Sequence, residues 1–208
     1  MLVFPDKNLT FLATPKTGTT ALETALRPHA QIIFAKGRKH ITARRYVQKV
    51  APFLADTFGV TPDTCAVMRD PIAQIKSWYR YRARDEMAGT ARSTRDISFD
   101  DFVRAVIADD PPEFAKIGSQ HTFLTSKAGE VLVDHLFAYE NQPELLAFLT
   151  RRFGVPIAPG RQNVSPPKDA PLSEDVAADL RTARAAEFAL YERLTAAEGH
   201  LTRAGSGH

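Results

Sequence analysis

Leu9-Thr10-Phe11-Leu12-Ala13-Thr14-Pro15-Lys16-Thr17-Gly18-Thr19-Thr20 is the stretch on which the reading of this chain turns. An apolar, β-prone run stops at a proline, and a lysine, a glycine and threonines follow. Ala21-Leu22-Glu23-Thr24-Ala25-Leu26 then reads as a helix. A strand feeding a small-residue loop feeding a helix makes an anion cradle, because free backbone N–H groups and the positive end of the helix dipole converge there. Gly18 allows close backbone approach, Lys16 adds a positive charge, and the threonine hydroxyls add donors. The loop is not a G-x-x-x-x-G-K-[ST] sequence, since Lys16 precedes the glycine.

A second stretch has the same form. Thr64-Cys65-Ala66-Val67-Met68 is a short apolar run that meets Arg69-Asp70-Pro71. Asp70 suits an N-cap and Pro71 the first helical position, and Ile72, Ile75, Ser77, Trp78 and Tyr79 continue a helix. Arg69 therefore sits at a strand's C-terminal end, with Ser77 about two turns into the helix that follows.

The Pro-Lys-Thr-Gly-Thr-Thr order of residues 15–20 resembles the 5′-phosphosulfate loop of sulfotransferases that use 3′-phosphoadenosine 5′-phosphosulfate (PAPS). Arg69-Asp70-Pro71, with Ser77 and Tyr79 beyond it, resembles the 3′-phosphate site of the same family. Further stretches resemble carbohydrate-type, bacterial-like small sulfotransferases: Ser119-Gln120-His121-Thr122-Phe123-Leu124, with Ser and Phe where the family has Pro and Tyr, then Phe137-Ala138-Tyr139-Glu140, Gln162-Asn163-Val164-Ser165 and Glu187-Phe188-Ala189-Leu190-Tyr191. The resemblance implies an α/β, P-loop-like fold with a parallel central sheet flanked by helices. It implies PAPS as donor, bound by Pro15, Lys16, Thr17, Gly18, Thr19, Thr20, Arg69, Ser77, Asn163 and Ser165, and catalysis without a metal. Lys16 would stabilise the leaving phosphate. Arg38-Lys39-His40-Ile41-Thr42-Ala43 resembles a Lys-His-x-Thr-Ala segment of the family, which makes His40 the candidate base; its cationic neighbours favour the neutral imidazole. His121 and Glu23 are the alternatives. An acceptor hydroxyl is expected, and the resemblance favours a carbohydrate.

Outward from these motifs, strand candidates at residues 9–14, 31–35, 64–68 and 131–138 alternate with helices, the pattern of a parallel sheet with right-handed crossovers. Ile41, Ala43, Tyr46, Val47 and Val50 recur at helical spacing, and Pro52 interrupts or restarts that helix. Ser98 opens a helix through Ile107, and Asn141-Gln142-Pro143-Glu144 opens another, closed by Gly154. Residues 156–171 hold five prolines and read as a long loop. Ser173 then caps one long amphipathic helix carrying Val176, Leu180, Ala183, Leu190, Tyr191 and Leu194.

A chain of 208 residues with 44% hydrophobic and 25% charged content suits one globular domain, expected over residues 1–204; residues 205–208 resemble an appended tag. No apolar run approaches a membrane span. The first residues lack signal-peptide character, and the single cysteine, Cys65, reads as a small core residue, so a cytoplasmic location is expected. No histidine or cysteine pattern has metal-ligand spacing. Net charge is only +3, but Lys36, Arg38, Lys39, Arg44 and Arg45 crowd one segment and Arg80, Arg82 and Arg84 another, which favours an anionic ligand. Two rivals remain. Val131-Leu132-Val133-Asp134 would supply the Mg²⁺ aspartate of a P-loop kinase or NTPase, and the basic segments could form a non-catalytic module for acidic glycan. Nucleic acid is not expected, since only Tyr46, Tyr79 and Tyr81 accompany the basic residues.

Overall fold

The computed structural model describes residues 1–160 and 168–203. A six-stranded mixed sheet forms its centre, made of β1 (Leu2–Phe4), β2 (Leu9–Leu12), β3 (Ile32–Ile33), β4 (Asp63–Met68), β5 (His135–Ala138) and β6 (His200–Thr202), in the spatial order β3-β1-β2-β4-β5-β6. β2, β4 and β5 are parallel neighbours, with Phe11 opposite Cys65 and Val67 opposite Phe137. β1 pairs antiparallel with β2 and β3, and β6 antiparallel with β5.

The expected parallel sheet is thus correct at its centre and wrong at its margins. Residues 31–35 shrink to the two-residue edge strand β3. It runs in the same direction as β2 but is separated from it by β1, a strand the periodicity did not disclose. The 131–138 run enters the sheet only from His135; Val131 makes an isolated bridge to Thr125 instead.

Helices cover both sheet faces, which is why the central strands read as continuous apolar runs. On one face lie α1 (Thr19–Leu26) and α7 (Gln142–Phe153), whose Leu22, Leu26, Leu145 and Leu149 pack with Phe11, Cys65, Val67 and Phe137. On the other lie α2 (Ala43–Arg45), the π-helical turn Tyr46–Val50, α3 (Ala51–Phe58), α6 (Gln120–Leu124) and α9 (Ala185–Ala196), against Leu12, Ala66, Met68 and Leu136. Pro52 lacks an N–H, and the helical ladder widens just before it: Ala51 donates to Tyr46 O in the i→i−5 pattern. Ala43, Tyr46 and Val50 are buried, but Val47 is exposed, contrary to its place in the periodic stripe. Beyond the ends of β4 and β5, α4 (Pro71–Arg82), α5 (Phe99–Val106) and α8 (Glu174–Ala183) build a further cluster around Tyr79, Phe99, Phe102 and Leu180.

The capping expectations hold at α4, where Asp70 accepts from the Ala73 N–H at 2.8 Å, and at α5, where Ser98 accepts from Asp101. Gly154 closes α7 in the left-handed region. The expected long final helix is two helices, α8 and α9, broken at Arg184. Ser173 stands at the start of α8, but its hydroxyl donates to Asp100 and caps no helical N–H. No helix among the described residues is long and apolar enough to cross a membrane.

Candidate functional site

Because β2 and β4 are parallel neighbours, both end on the same edge of the sheet, and their following loops open onto one cleft. The cleft is about 700 Å³, within the size range of small-molecule sites. From the β2 side come Pro15, Lys16, Gly18, Thr19 and Thr20. From β4 and α4 come Arg69 and Ser77, and from the segment before α2 comes His40. The sequence-predicted residues thus converge, with three exceptions. Thr17 is buried and its hydroxyl donates to Thr14 O at 3.0 Å, so it shapes the loop from beneath. Asn163 and Ser165 lie outside the described residues.

The loop is held in an unusual conformation. Lys16 takes φ +66, a region that costs a non-glycine residue on the order of 1 kcal/mol. Gly18 takes φ +70, and a Cβ there would meet the Tyr139 ring at 2.9 Å. The backbone N–H groups of Gly18, Thr19 and Thr20 find no acceptor among the described residues, so the start of α1 presents donors to the cleft. Gln74 of α4 ties the loop down by donating to Pro15 O at 3.2 Å.

Charge is one-sided. Among the described residues, seven lysines and arginines line the cleft and no aspartate or glutamate does. Some are committed elsewhere: Lys39 meets Glu23 at 2.6 Å, and Arg82 donates to the carbonyls of Glu113 and Lys116. Lys16, Arg69 and Lys76 form no ion pair among the described residues. The Lys16 ammonium lies over the Tyr81 ring at 4.2 Å and near Trp78 at 5.6 Å. Burial, then Arg84 and Arg69, bring its pKa down to about 8. The Arg69 guanidinium lies over Tyr139 at 4.6 Å, and its Nε is buried without a partner among the described residues. Tyr139 therefore lies against both the Gly18 turn and Arg69.

The three base candidates separate clearly. His40 Nδ1 lies 2.6 Å from Ala13 O. A carbonyl can only accept, so Nδ1 carries the proton and Nε2 is left as the acceptor. Burial is the main cause holding the His40 pKa below its ordinary value. Glu23 is buried outside the cleft lining, between the Met1 amine at 3.2 Å and Lys39 Nζ at 2.6 Å. His121 faces Gly129, away from the cleft.

The aspartate of the kinase reading lies elsewhere. Asp134 precedes β5, at the opposite end of the sheet from Lys16. It accepts from the Thr64 N–H and hydroxyl, both at 2.8 Å, and pairs with Arg203 at 2.7 Å. Among the described residues no cluster of three or more His, Cys, Asp or Glu could hold a metal ion. Cys65 is buried and its thiol is pushed up to about 12 by desolvation, as suits a core residue.

Sequence reasoning missed the aromatic cover on Lys16. Trp78 and Tyr81, three positions apart on α4, share a helix face with each other, a signal that was there to be read. No protein-family model and no curated protein matches this sequence.

Proposed function

We propose that this chain is a sulfotransferase that moves a sulfuryl group from PAPS to an acceptor hydroxyl. The observation that carries the reading is the convergence of the Lys16 loop, Arg69, Ser77 and His40 on one cleft lined, among the described residues, by cations and by no carboxylate. A phosphosulfate with a second phosphate on its ribose needs two separated anion sites. The free N–H groups at the start of α1 and the Arg69–Ser77 pair at β4 and α4 would supply them.

The chemistry follows from the groups present. Lys16 neutralises the charge that builds on the oxygen between sulfur and the 5′-phosphate as that S–O bond breaks. His40 Nε2 accepts the proton of the acceptor hydroxyl as its oxygen forms the new bond to sulfur; a base so placed contributes about 10²–10⁴-fold. The His40 Nδ1 bond to Ala13 couples the base to the strand that carries the lysine loop.

The kinase alternative would require a Mg²⁺-binding carboxylate at the phosphates, and Asp134 is remote from them. Thermal denaturation with nucleotides tests the choice: 3′-phosphoadenosine 5′-phosphate is expected to stabilise the protein, and ATP with Mg²⁺ is not. Transfer of label from PAPS to a pool of carbohydrate acceptors tests the activity. Binding of acidic glycan with no transfer to any acceptor would replace the proposal with a non-catalytic module.

A further inference from the structure

The Arg69-Asp70-Pro71 turn is gripped by side chains from outside its own strand and helix. Gln120, the first residue of α6, accepts the Arg69 N–H on Oε1 at 2.9 Å and donates from Nε2 to the Arg69 carbonyl at 2.9 Å. A carboxamide carries one acceptor and a donor pair, so it can satisfy both polar groups of one residue as a neighbouring strand would. Gln120 is 1% exposed and is itself fixed from behind. Glu187 of α9 accepts its backbone N–H at 3.0 Å and its Nε2 at 3.3 Å, and takes Arg184 at 3.1 Å on the other oxygen.

One residue further, Glu140 Oε1 accepts the Asp70 N–H at 3.1 Å, while Glu140 Oε2 accepts the Tyr191 hydroxyl at 2.8 Å. Burial and the Glu140 carboxylate push the Tyr191 pKa upward, so the phenol stays a donor. Two adjacent backbone N–H groups, immediately after β4, are thus held by side chains that α9 braces. Glu187 is 4% exposed, and an ionised carboxylate is costly to bury. The Arg69 guanidinium lies against Tyr139 and its Nε has no partner among the described residues, so besides that ring the orientation of its own peptide sets where the side chain points.

We propose that Gln120 and Glu140 are positioning residues for Arg69: their grip on the Arg69 and Asp70 peptides sets the angle at which the guanidinium enters the cleft to read the donor's 3′-phosphate. This role rests on the sulfotransferase reading. The test is the ratio of affinities for 3′-phosphoadenosine 5′-phosphate and adenosine 5′-phosphate, measured by calorimetry on the full chain.

Gln120→Met and Glu140→Leu are each expected to cut that ratio about three- to tenfold, the effect of losing a hydrogen bond to the backbone, with affinity for adenosine 5′-phosphate unchanged. Glu140→Gln keeps an acceptor and is expected to retain the ratio. Amide hydrogen exchange at Arg69 in Gln120→Met, and at Asp70 in Glu140→Leu, should rise while Ala66 and Val67 stay protected. Glu140 is exposed, so its variants remain informative if Gln120→Met fails to fold. A selective wild type whose Gln120→Met and Glu140→Leu variants keep full selectivity overturns the role. So does equal loss in Glu140→Gln, which would assign the effect to charge. A wild type with no preference for the 3′-phosphate overturns the donor reading itself.

Discussion

Lys16 shows how one residue can be tuned by what covers it. Its ammonium is partly desolvated by Tyr81 and Trp78 and pressed by Arg84 and Arg69, with Lys39 and His40 on the same cleft. Under the proposed reading Lys16 stabilises the leaving group and must be protonated, so kcat/KM should fall as pH rises through about 8. Tyr81→Ala admits water and should move that alkaline limb to higher pH, whereas Tyr81→Phe should leave it in place. As the proposed base, His40 would act in its neutral form. Its lowered pKa places the acid limb below the ordinary histidine value, and His40→Ala should remove that limb while donor binding persists. Lys16→Ala should lower turnover by about 10²–10³-fold in a radiolabelled transfer assay. At this scale the convergence was legible in part: residue type and position relative to strand ends marked the lysine loop and Arg69, the family resemblance added Ser77 and His40, and all four line one cleft. The aromatic cover was not, because Trp78 and Tyr81 read equally well as core residues of a helix until α4 is placed against the loop.

At the scale of elements, α4 carries the widest set of duties. Its N-terminus is capped by Asp70, its body supplies Gln74 to the lysine loop, and its cleft face supplies Ser77 and Tyr81. Asp70→Ala should therefore cost about 1 kcal/mol in denaturant unfolding, the usual loss of an N-cap. Gln74→Leu should weaken nucleotide binding with the fold retained, seen as a smaller thermal shift with 3′-phosphoadenosine 5′-phosphate. Helix starts were readable because Asp70-Pro71 and Ser98 impose their geometry locally. The break between α8 and α9 was not, since Ala183-Arg184-Ala185 contains no helix-breaking residue. Strand order was hidden for a related reason. β1 and β3 are three and two residues long, too short for alternation to register, and which strand each pairs with is decided by distant packing.

Across the whole molecule, three half-buried or cleft-facing histidines share one thermodynamic sign. Burial is the leading cause that lowers the pKa of His40, His135 and His200, and His135 Nδ1 lies 3.2 Å from His200 Nε2. The unfolded chain then binds more protons than the folded one below about pH 6.5. Stability should fall as pH drops through that range, and chemical denaturation in buffers spanning pH 5 to 8 would show it as a shrinking transition midpoint. An excess of positive charge in one cleft adds a second global property: inorganic pyrophosphate should raise the melting temperature more than chloride at equal ionic strength. The same architecture places the Tyr139 ring against both the Gly18 turn and the Arg69 guanidinium. If those two places anchor a ligand, the flat ring between them makes the cleft a gauge. Under the proposed reading, it would admit a nucleotide by the distance separating its charged ends, and would turn away one whose ends lie too close together, however strongly either end alone is attracted.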